Sequence, residues 1–249
     1  MIIAMAVKVT LLGTGVGIPH SGRSQSSLMM EGQGTLLFDC GAGSLLRLSQ
    51  AGAMVPQLDA VFLTHLHLDH SSDLLPLANA KYLMGEGEIR IFGPEGTELF
   101  LQRSLAAYPY LNRMAMEIQE LAPGDGVDLK GFSISCAGAI HSVTALGYRI
   151  ESQGNTIAYS GDTEPSGEIA EMASGADLLI HECSFPEPYQ VTNHTTPVRL
   201  AETIQDVGRI VLTHLYPQTA GHEWEMARTV AMGTKVPVEV GRDLQSIDI

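Results

Sequence analysis

Apolar and polar positions alternate along this chain in short blocks. Runs rich in Val, Ile, Leu and Phe and bounded by Gly, Pro or Asp read as strands. They fall at 7–12, 27–30, 35–39, 60–64, 88–92, 132–137, 146–151, 156–160, 178–180 and 210–213. Helical stretches are expected between some of them, at 44–51, 74–83, 97–108, 166–172, 197–207 and 223–232. Thr196-Pro197 has the form of an N-cap followed by proline at the first helical position. The two flanks of the chain alternate strand and helix, while the middle joins strands through short glycine-containing turns. That mixture predicts layered sheets with helices outside. There is one internal echo, A-V-F-L-T-H-L at 60–66 against I-V-L-T-H-L at 210–215. It is either chance or the mark of two half-sheets delivering a histidine from equivalent strand ends.

Composition narrows the class. With 249 residues and 45% hydrophobic content the chain can bury a sizeable core, and a single domain over 1–249 is expected. A net charge of −14 argues against a broad basic nucleic-acid surface, although it leaves room for a local groove. Cys40, Cys136 and Cys183 are odd in number and widely spaced. They suggest buried reduced thiols and a reducing compartment rather than a disulfide framework or a cysteine zinc site. The first eighteen residues lack a charged leading region and read as the approach to a first strand rather than a signal peptide. No stretch approaches the roughly 20 apolar residues of a membrane-spanning helix. A cytoplasmic protein without a membrane partner is expected.

The chemistry concentrates at T-H-L-H-L-D-H, directly after the apolar run 60–63. His and Asp are costly to bury unless paired or bound to metal, and imidazole nitrogen with carboxylate oxygen suits Zn²⁺ and similar divalent ions. In extended backbone His65 and His67 point the same way and can grip one ion. Asp69 and His70 follow as the chain turns toward a helix, face elsewhere, and suit a second ion. His141, Asp162 and His214 each stand at or just after a strand end and complete a two-metal constellation. G-T-G-V-G at 13–17 only partly mimics a dinucleotide loop, because its third glycine is misplaced and Ile18-Pro19 follows instead of a helix. It reads as a turn beside the metal cleft, with backbone N–H groups that either touch a phosphate or serve the turn alone. Asp39 is a candidate partner for a metal-bound histidine or a turn former, Arg23 a candidate phosphate contact, and His20 and His222 loop residues.

These motifs, taken in order, resemble the metallo-β-lactamase superfamily over nearly the whole chain. L-G-T-G-V-G-I-P, L-L-F-D-C-G, F-L-T-H-L-H-L-D-H, I-F-G-P-E-G-T, Y-S-G-D-T and L-L-I-H-E-C-S-F are most similar to its branch of ribonuclease Z and related phosphodiesterases. The resemblance implies an α/β fold, a four-layer αββα sandwich with the metal site at one edge of the two sheets. It implies that His65, His67 and His141 bind one metal, that Asp69, His70 and His214 bind the other, and that Asp162 bridges them. Two divalent ions, Zn²⁺ or else Mn²⁺, would then present a hydroxide held between them to phosphorus. Asp69 would orient that nucleophile or take its proton. His194 in N-H-T-T-P resembles the family's H-S-T element, with Thr195 in place of Ser. Glu182 in H-E-C-S-F resembles H-E-A-T-F, and the pair would supply the acid for the leaving alkoxide. His181, pointing the opposite way on an extended strand, is expected to be structural.

The long-armed ribonuclease Z enzymes carry an insertion between the third-motif histidine and the bridging aspartate. Here His141 and Asp162 are 21 residues apart, so the chain has no room for that arm. The segment 86–113 carries little positive charge, and phosphate contacts need Lys or Arg. The expectation is therefore a phosphodiesterase acting on small diesters, cyclic nucleotides or short oligonucleotides. The alternatives are a tRNA 3′-end endoribonuclease lacking the flexible arm and, in another class, a thiolester or lactone hydrolase. Folded tRNA is a possible but not a favoured partner. A homodimer is expected, on general grounds, because dimers are the commonest assembly.

Overall fold

The computed structural model describes residues 7–20, 22–85 and 87–249. The leading residues 1–6, part of the stretch weighed above as a signal peptide, lie outside the described residues.

Among the described residues fourteen strands build two mixed sheets of seven. The first holds β1 Lys8–Gly13, β2 Ser27–Glu31, β3 Thr35–Phe38, β4 Ala60–Phe62, β5 Ile89–Pro94, β6 Met116–Leu121 and β14 Gln245–Asp248, in the order β14-β1-β2-β3-β4-β5-β6. The second holds β7 Gly126–Leu129, β8 Phe132–Gly138, β9 Leu146–Ser152, β10 Asn155–Tyr159, β11 Leu178–Glu182, β12 Ile210–Thr213 and β13 Val238–Val240, in the order β13-β12-β11-β10-β9-β8-β7. Side chains on the central strands alternate between two buried faces, which is why these strands read as near-continuous apolar runs. Leu36 and Phe38 of β3, and Ala60 and Phe62 of β4, point into the core between the sheets. Leu37 and Val61, between them in sequence, point outward into a second core.

Helices cover both outer faces. α1 Ser44–Gln50, α3 Leu74–Leu83 and α4 Thr97–Ala107 pack on the first sheet, through Leu48, Leu74, Leu77 and Leu101. α5 Gly167–Ala173, α6 Pro197–Thr203 and α7 Glu223–Thr234 pack on the second, through Ile169, Leu200, Met226 and Val230. Three buried cores thus separate four layers, and the expected αββα sandwich is the observed one. In the central core Phe62 stacks between Phe38 at 5.1 Å and Phe92 at 4.6 Å, with Tyr148 against its edge.

The two sheets repeat one plan. Read from β14 and from β7, each has three antiparallel pairings followed by three parallel ones. In that correspondence β4 matches β11, and β12 matches β5. The T-H-L echo therefore does not come from equivalent strands: the symmetry is real, but the histidines that follow β4 and β12 are one strand out of step.

Some boundaries differ from the sequence expectation. The helix expected over 197–207 stops at Thr203, because Ile204 turns to extended backbone and buries its side chain under the second sheet. β4 ends at Phe62, two residues early, and residues beyond it leave the ladder to reach the metal cluster. Four strands were not expected. β7, β13 and β14 are too short to show a period, whereas β6, M-E-I-Q-E-L, does alternate and was legible as an edge strand. Among the described residues no helix is long and apolar enough to cross a membrane.

Candidate metal centre

Loops leaving strand ends at one edge of both sheets deliver the candidate ligands. His65 and His67 leave β4, and the short helix α2 Leu68–Ser71 carries Asp69 and His70 around to a different face. His141 follows β8, Asp162 follows β10 and His214 follows β12. Asp39, after β3, and His214 both hold left-handed backbone, with φ of 57° and 55°. Few residues with a Cβ adopt that conformation, Asp and His more readily than most.

The first cluster is His65, His67 and His141. His65 Nε2 lies 3.0 Å from His67 Nδ1, and His141 Nε2 lies 3.2 Å from the same atom. Nitrogens bound tetrahedrally to zinc at 2.0–2.1 Å would stand about 3.3 Å apart, so the spacing fits such an ion. The second cluster is Asp69, His70 and His214. Asp162 lies between the two, with Oδ1 3.4 Å from His70 Nε2 and Oδ2 3.1 Å from His214 Nε2 and 3.8 Å from His65 Nε2. His70 Nε2, His214 Nε2 and Asp162 Oδ1 are buried and have no hydrogen-bond partner among the described residues. Buried polar atoms of this kind are rarely left unsatisfied, and here they converge as a donor set suited to divalent ions. The residues present fit the metals that the sequence implied.

Outer contacts set the ring orientations. His65 Nδ1 donates to Thr64 Oγ1 at 3.0 Å, and that hydroxyl in turn donates to Asp39. His70 Nδ1 donates to Asp39 Oδ2 at 2.7 Å, and Tyr159 donates to the same oxygen at 2.8 Å. His141 Nδ1 donates to the Asn193 carbonyl at 2.9 Å, and His214 Nδ1 to Ser184 Oγ at 3.1 Å. Each such bond fixes the tautomer that turns the other ring nitrogen into the site. Asp39 is therefore a partner of a cluster histidine as well as a turn residue.

Burial, reinforced by the neighbouring imidazoles, holds His65 well below its ordinary pKa; burial lowers His141 as well. Neutral imidazole is the form that binds metal. Burial pushes Asp162 and Asp69 upward, but the histidines outweigh it. Asp162 lies well below the usual carboxylate range through His214, His70 and His65, and Asp69 lies low through His214 and His70. Burial disfavours charge on His70, yet Asp162 and Asp39 raise it. A metal binding at His70 competes with a proton there.

His194 and Glu182 meet as expected, with Nδ1 3.1 Å from Oε1. Glu182 is fully buried, and among the described residues no arginine pairs with it. It accepts instead from the Thr163 and Ser184 backbone and from Ser184 Oγ at 2.7 Å. His194 stands close enough to Asp162 and His214 for all three to reach one ion. Burial opposes its charge, but Glu182 raises its pKa. His181 is buried with Nδ1 on the Glu182 carbonyl, away from the cluster.

Other candidates fall elsewhere. Arg23 spends its guanidinium on Thr14 Oγ1 at 2.6 Å and the Gly241 carbonyl at 2.8 Å. His222 begins α7 and faces Glu225, and His20 pairs with Arg23 in an isolated bridge. In the glycine loop, a Cβ on Gly13 would collide with the Gln25 carbonyl, and the Gly17 N–H donates to Asp69 Oδ2 at 2.9 Å. That loop steadies a cluster carboxylate. Sequence reading missed Thr64, Tyr159, Ser184 and Tyr216, common residue types that no motif singles out and that join the cluster through contacts such as Tyr159 with Asp39, 120 residues apart.

Fold and site together define a metal-dependent hydrolase of the metallo-β-lactamase type. The Beta-lactamase superfamily domain matches residues 35–215. Ribonuclease Z of Mycobacterium bovis (strain BCG / Pasteur 1173P2) is 30% identical over 275 residues, covering 98% of this chain and 98% of its own. Ribonuclease Z of Mycobacterium sp. (strain KMS) is 31% identical over 98% of this chain and 96% of its own. Among solved structures, the metallo-β-lactamase fold protein YhfI from Bacillus subtilis superposes with a TM-score of 0.88 at 24% identity, covering 98% of this chain and all of that one. Human tRNase Z, short form, gives 0.78 at 23% identity, covering 96% and 98%. The chain belongs to the beta-lactamase superfamily and, within it, to the ribonuclease Z family.

Proposed function

We propose that this chain is a two-metal phosphodiesterase that cleaves RNA, with the 3′ end of precursor tRNA as its substrate. This reverses the order of the sequence expectation, which put small diesters first. The full-length likeness to proteins named ribonuclease Z supports the reversal. The observation that carries the two-metal part is the position of Asp162 between two histidine clusters, its own buried Oδ1 unsatisfied and the unsatisfied His70 Nε2 and His214 Nε2 of the second cluster facing it.

In this reading His65, His67 and His141 would hold one ion, Asp69, His70 and His214 the other, and Asp162 would serve both. Zinc suits the donor set best, with manganese as the alternative. Divalent ions bound there would polarise the phosphoryl group and make water acidic enough to attack near neutral pH. Asp69, kept ionised by His214 and anchored by the Gly17 N–H, takes the proton of the attacking water. His194, charged through Glu182, presents Nε2 to the departing oxygen and protonates it.

One observation favours the small-diester reading as second choice. Lys8, Arg47, Arg90, Lys130 and Arg149 are in ion pairs and Arg23 in internal hydrogen bonds, so six of the 14 Lys and Arg residues are engaged on a chain of net charge −14, which weakens the pull on a tRNA backbone. We also propose a homodimer in the cytoplasm. Leu83 and Met84 at the end of α3, with Tyr108 and Tyr110 beyond α4, are exposed apolar side chains suited to a subunit contact. The three buried thiols suit a reducing compartment.

The test compares kcat/KM for precursor tRNA, a p-nitrophenyl diester, a thiolester and a lactone on metal-analysed protein. Efficient 3′ cleavage of tRNA and close to two ions per chain are expected. Preference for the small diester selects the second reading, and turnover of only thiolester or lactone refutes phosphoester chemistry. Metal content fixed at one ion under saturating zinc and manganese refutes the two-metal site.

A further inference from the structure

A row of aromatic rings leads out of the metal centre. The His194 ring lies 5.5 Å from the Tyr216 ring, with Tyr216 Oη 3.4 Å from His194 Nε2. Tyr216 stacks on Phe185 at 4.3 Å, and Phe185 leans on Tyr189 at 5.6 Å. Phe185 and Tyr216 are half-buried, whereas Tyr189 is 46% exposed. The outermost ring reaches the surface. It lines an open cleft of about 730 Å³ between the loop after β11 and the start of α6, whose other walls include Pro188, Val191, Val198 and Arg199.

Packing alone does not account for this row. The inner rings close the wall behind His194, but Tyr189 keeps nearly half its surface in water at the mouth of the cleft. No ion pair or side-chain hydrogen bond engages the Arg199 guanidinium among the described residues. An exposed ring beside a cation, on an otherwise acidic chain, matches the chemistry of an unpaired nucleotide. The base stacks on the ring and the phosphate meets the guanidinium.

We infer that Tyr189, backed by Phe185 and Tyr216, is the stacking platform for one unpaired nucleobase of an RNA substrate, with Arg199 at the adjoining phosphate. The row ends on His194, the residue given the leaving oxygen above. The stacked base therefore belongs to the leaving-group side of the scissile phosphate. The inference rests on the ribonuclease reading and deepens it. Tyr189 binds substrate in it and touches no reacting atom. Stacking tolerates any base, so the platform adds affinity and register without reading sequence.

The test uses a precursor tRNA, cleaved and bound, with 2-aminopurine at the unpaired leaving-group nucleotide and an abasic counterpart at the same place. Wild-type protein should quench the 2-aminopurine on binding. Tyr189→Ala should lose the quench and lower kcat/KM on the base-bearing strand by roughly tenfold or more, as expected for one lost stack. On the abasic strand most of that difference should vanish. Tyr189→Trp should restore both quench and rate. Arg199→Ala should weaken the two strands alike, because it acts on phosphate. An equal loss from Tyr189→Ala on both strands, or none on either, overturns the platform while wild-type RNA cleavage keeps the ribonuclease reading intact. If wild-type protein hydrolyses p-nitrophenyl diesters but neither binds nor cuts RNA, the ribonuclease reading fails and the platform fails with it.

Discussion

Glu182 is one buried carboxylate linked to two histidines, directly to His194 and through Ser184 to His214. Its Oε1 takes the Nδ1–H of His194, while its Oε2 takes the hydroxyl of Ser184, which itself receives His214 Nδ1. His194→Ala should lower kcat by roughly 10²–10⁴-fold on an alkoxide-leaving diester, the usual contribution of a general acid. The loss should be much smaller on a p-nitrophenyl ester, whose leaving group needs little protonation, and metal content should hold. Equal losses on both esters would give His194 to binding instead. Glu182→Gln removes the charge that raises His194 against its burial. An acid must be protonated to act, so the alkaline limb of the pH–rate profile should move to lower pH. A limb that stays in place would separate Glu182 from the acid.

At the scale of elements, the metal edge depends on how closely the turn after β3 approaches α2. The Cys40 N–H donates to the His70 carbonyl at 2.7 Å, and Asp73 N–H returns to the Cys40 carbonyl at 2.9 Å. Gly41 follows at once, and a Cβ there would collide with the Asp69 carbonyl. Gly41→Ala should therefore cost about 1–3 kcal/mol, as overpacking does. It should also shift α2 and lower metal content, without touching any ligand side chain. Unchanged melting and full metal loading would show that this turn does not position α2. The sequence carried the L-F-D-C-G run, but nothing in it stated that the glycine packs against a helix thirty residues on.

Across the whole molecule, the candidate ligands are divided between the sheets. His65, His67, Asp69 and His70 leave the first, while His141, Asp162 and His214 leave the second. Metal should therefore tie the two halves together. We propose that 1–249 unfolds as one domain, because the central core draws side chains from both sheets. A single thermal transition should fall to lower temperature on chelation, since a ligand at about 100 times its Kd stabilises the native state by about 2.7 kcal/mol. Two transitions, or a midpoint indifferent to chelator, would count against this. Binding should also release protons, most visibly from His70, whose charge Asp162 and Asp39 favour. Metal affinity should thus fall as pH falls, and titration calorimetry in buffers of different ionisation enthalpy would detect the released protons.

The sequence by itself determined the ingredients. Strands buried on both faces wrote themselves as apolar runs, and T-H-L-H-L-D-H announced metal chemistry because unpaired His and Asp are too costly to bury by accident. His141, Asp162 and His214 were legible as strand-end residues of the right type. Tertiary structure alone decided what meets what. Asp39 reaches Tyr159 across the sandwich at 2.8 Å, and Ser184 joins Glu182 to His214. Periodicity is local, reporting which face a side chain takes, whereas these contacts follow from how the two sheets sit against each other. The same limit misled the T-H-L echo. Two similar strands ended in histidine, but only the strand order of the folded sheets showed them to be one strand out of step.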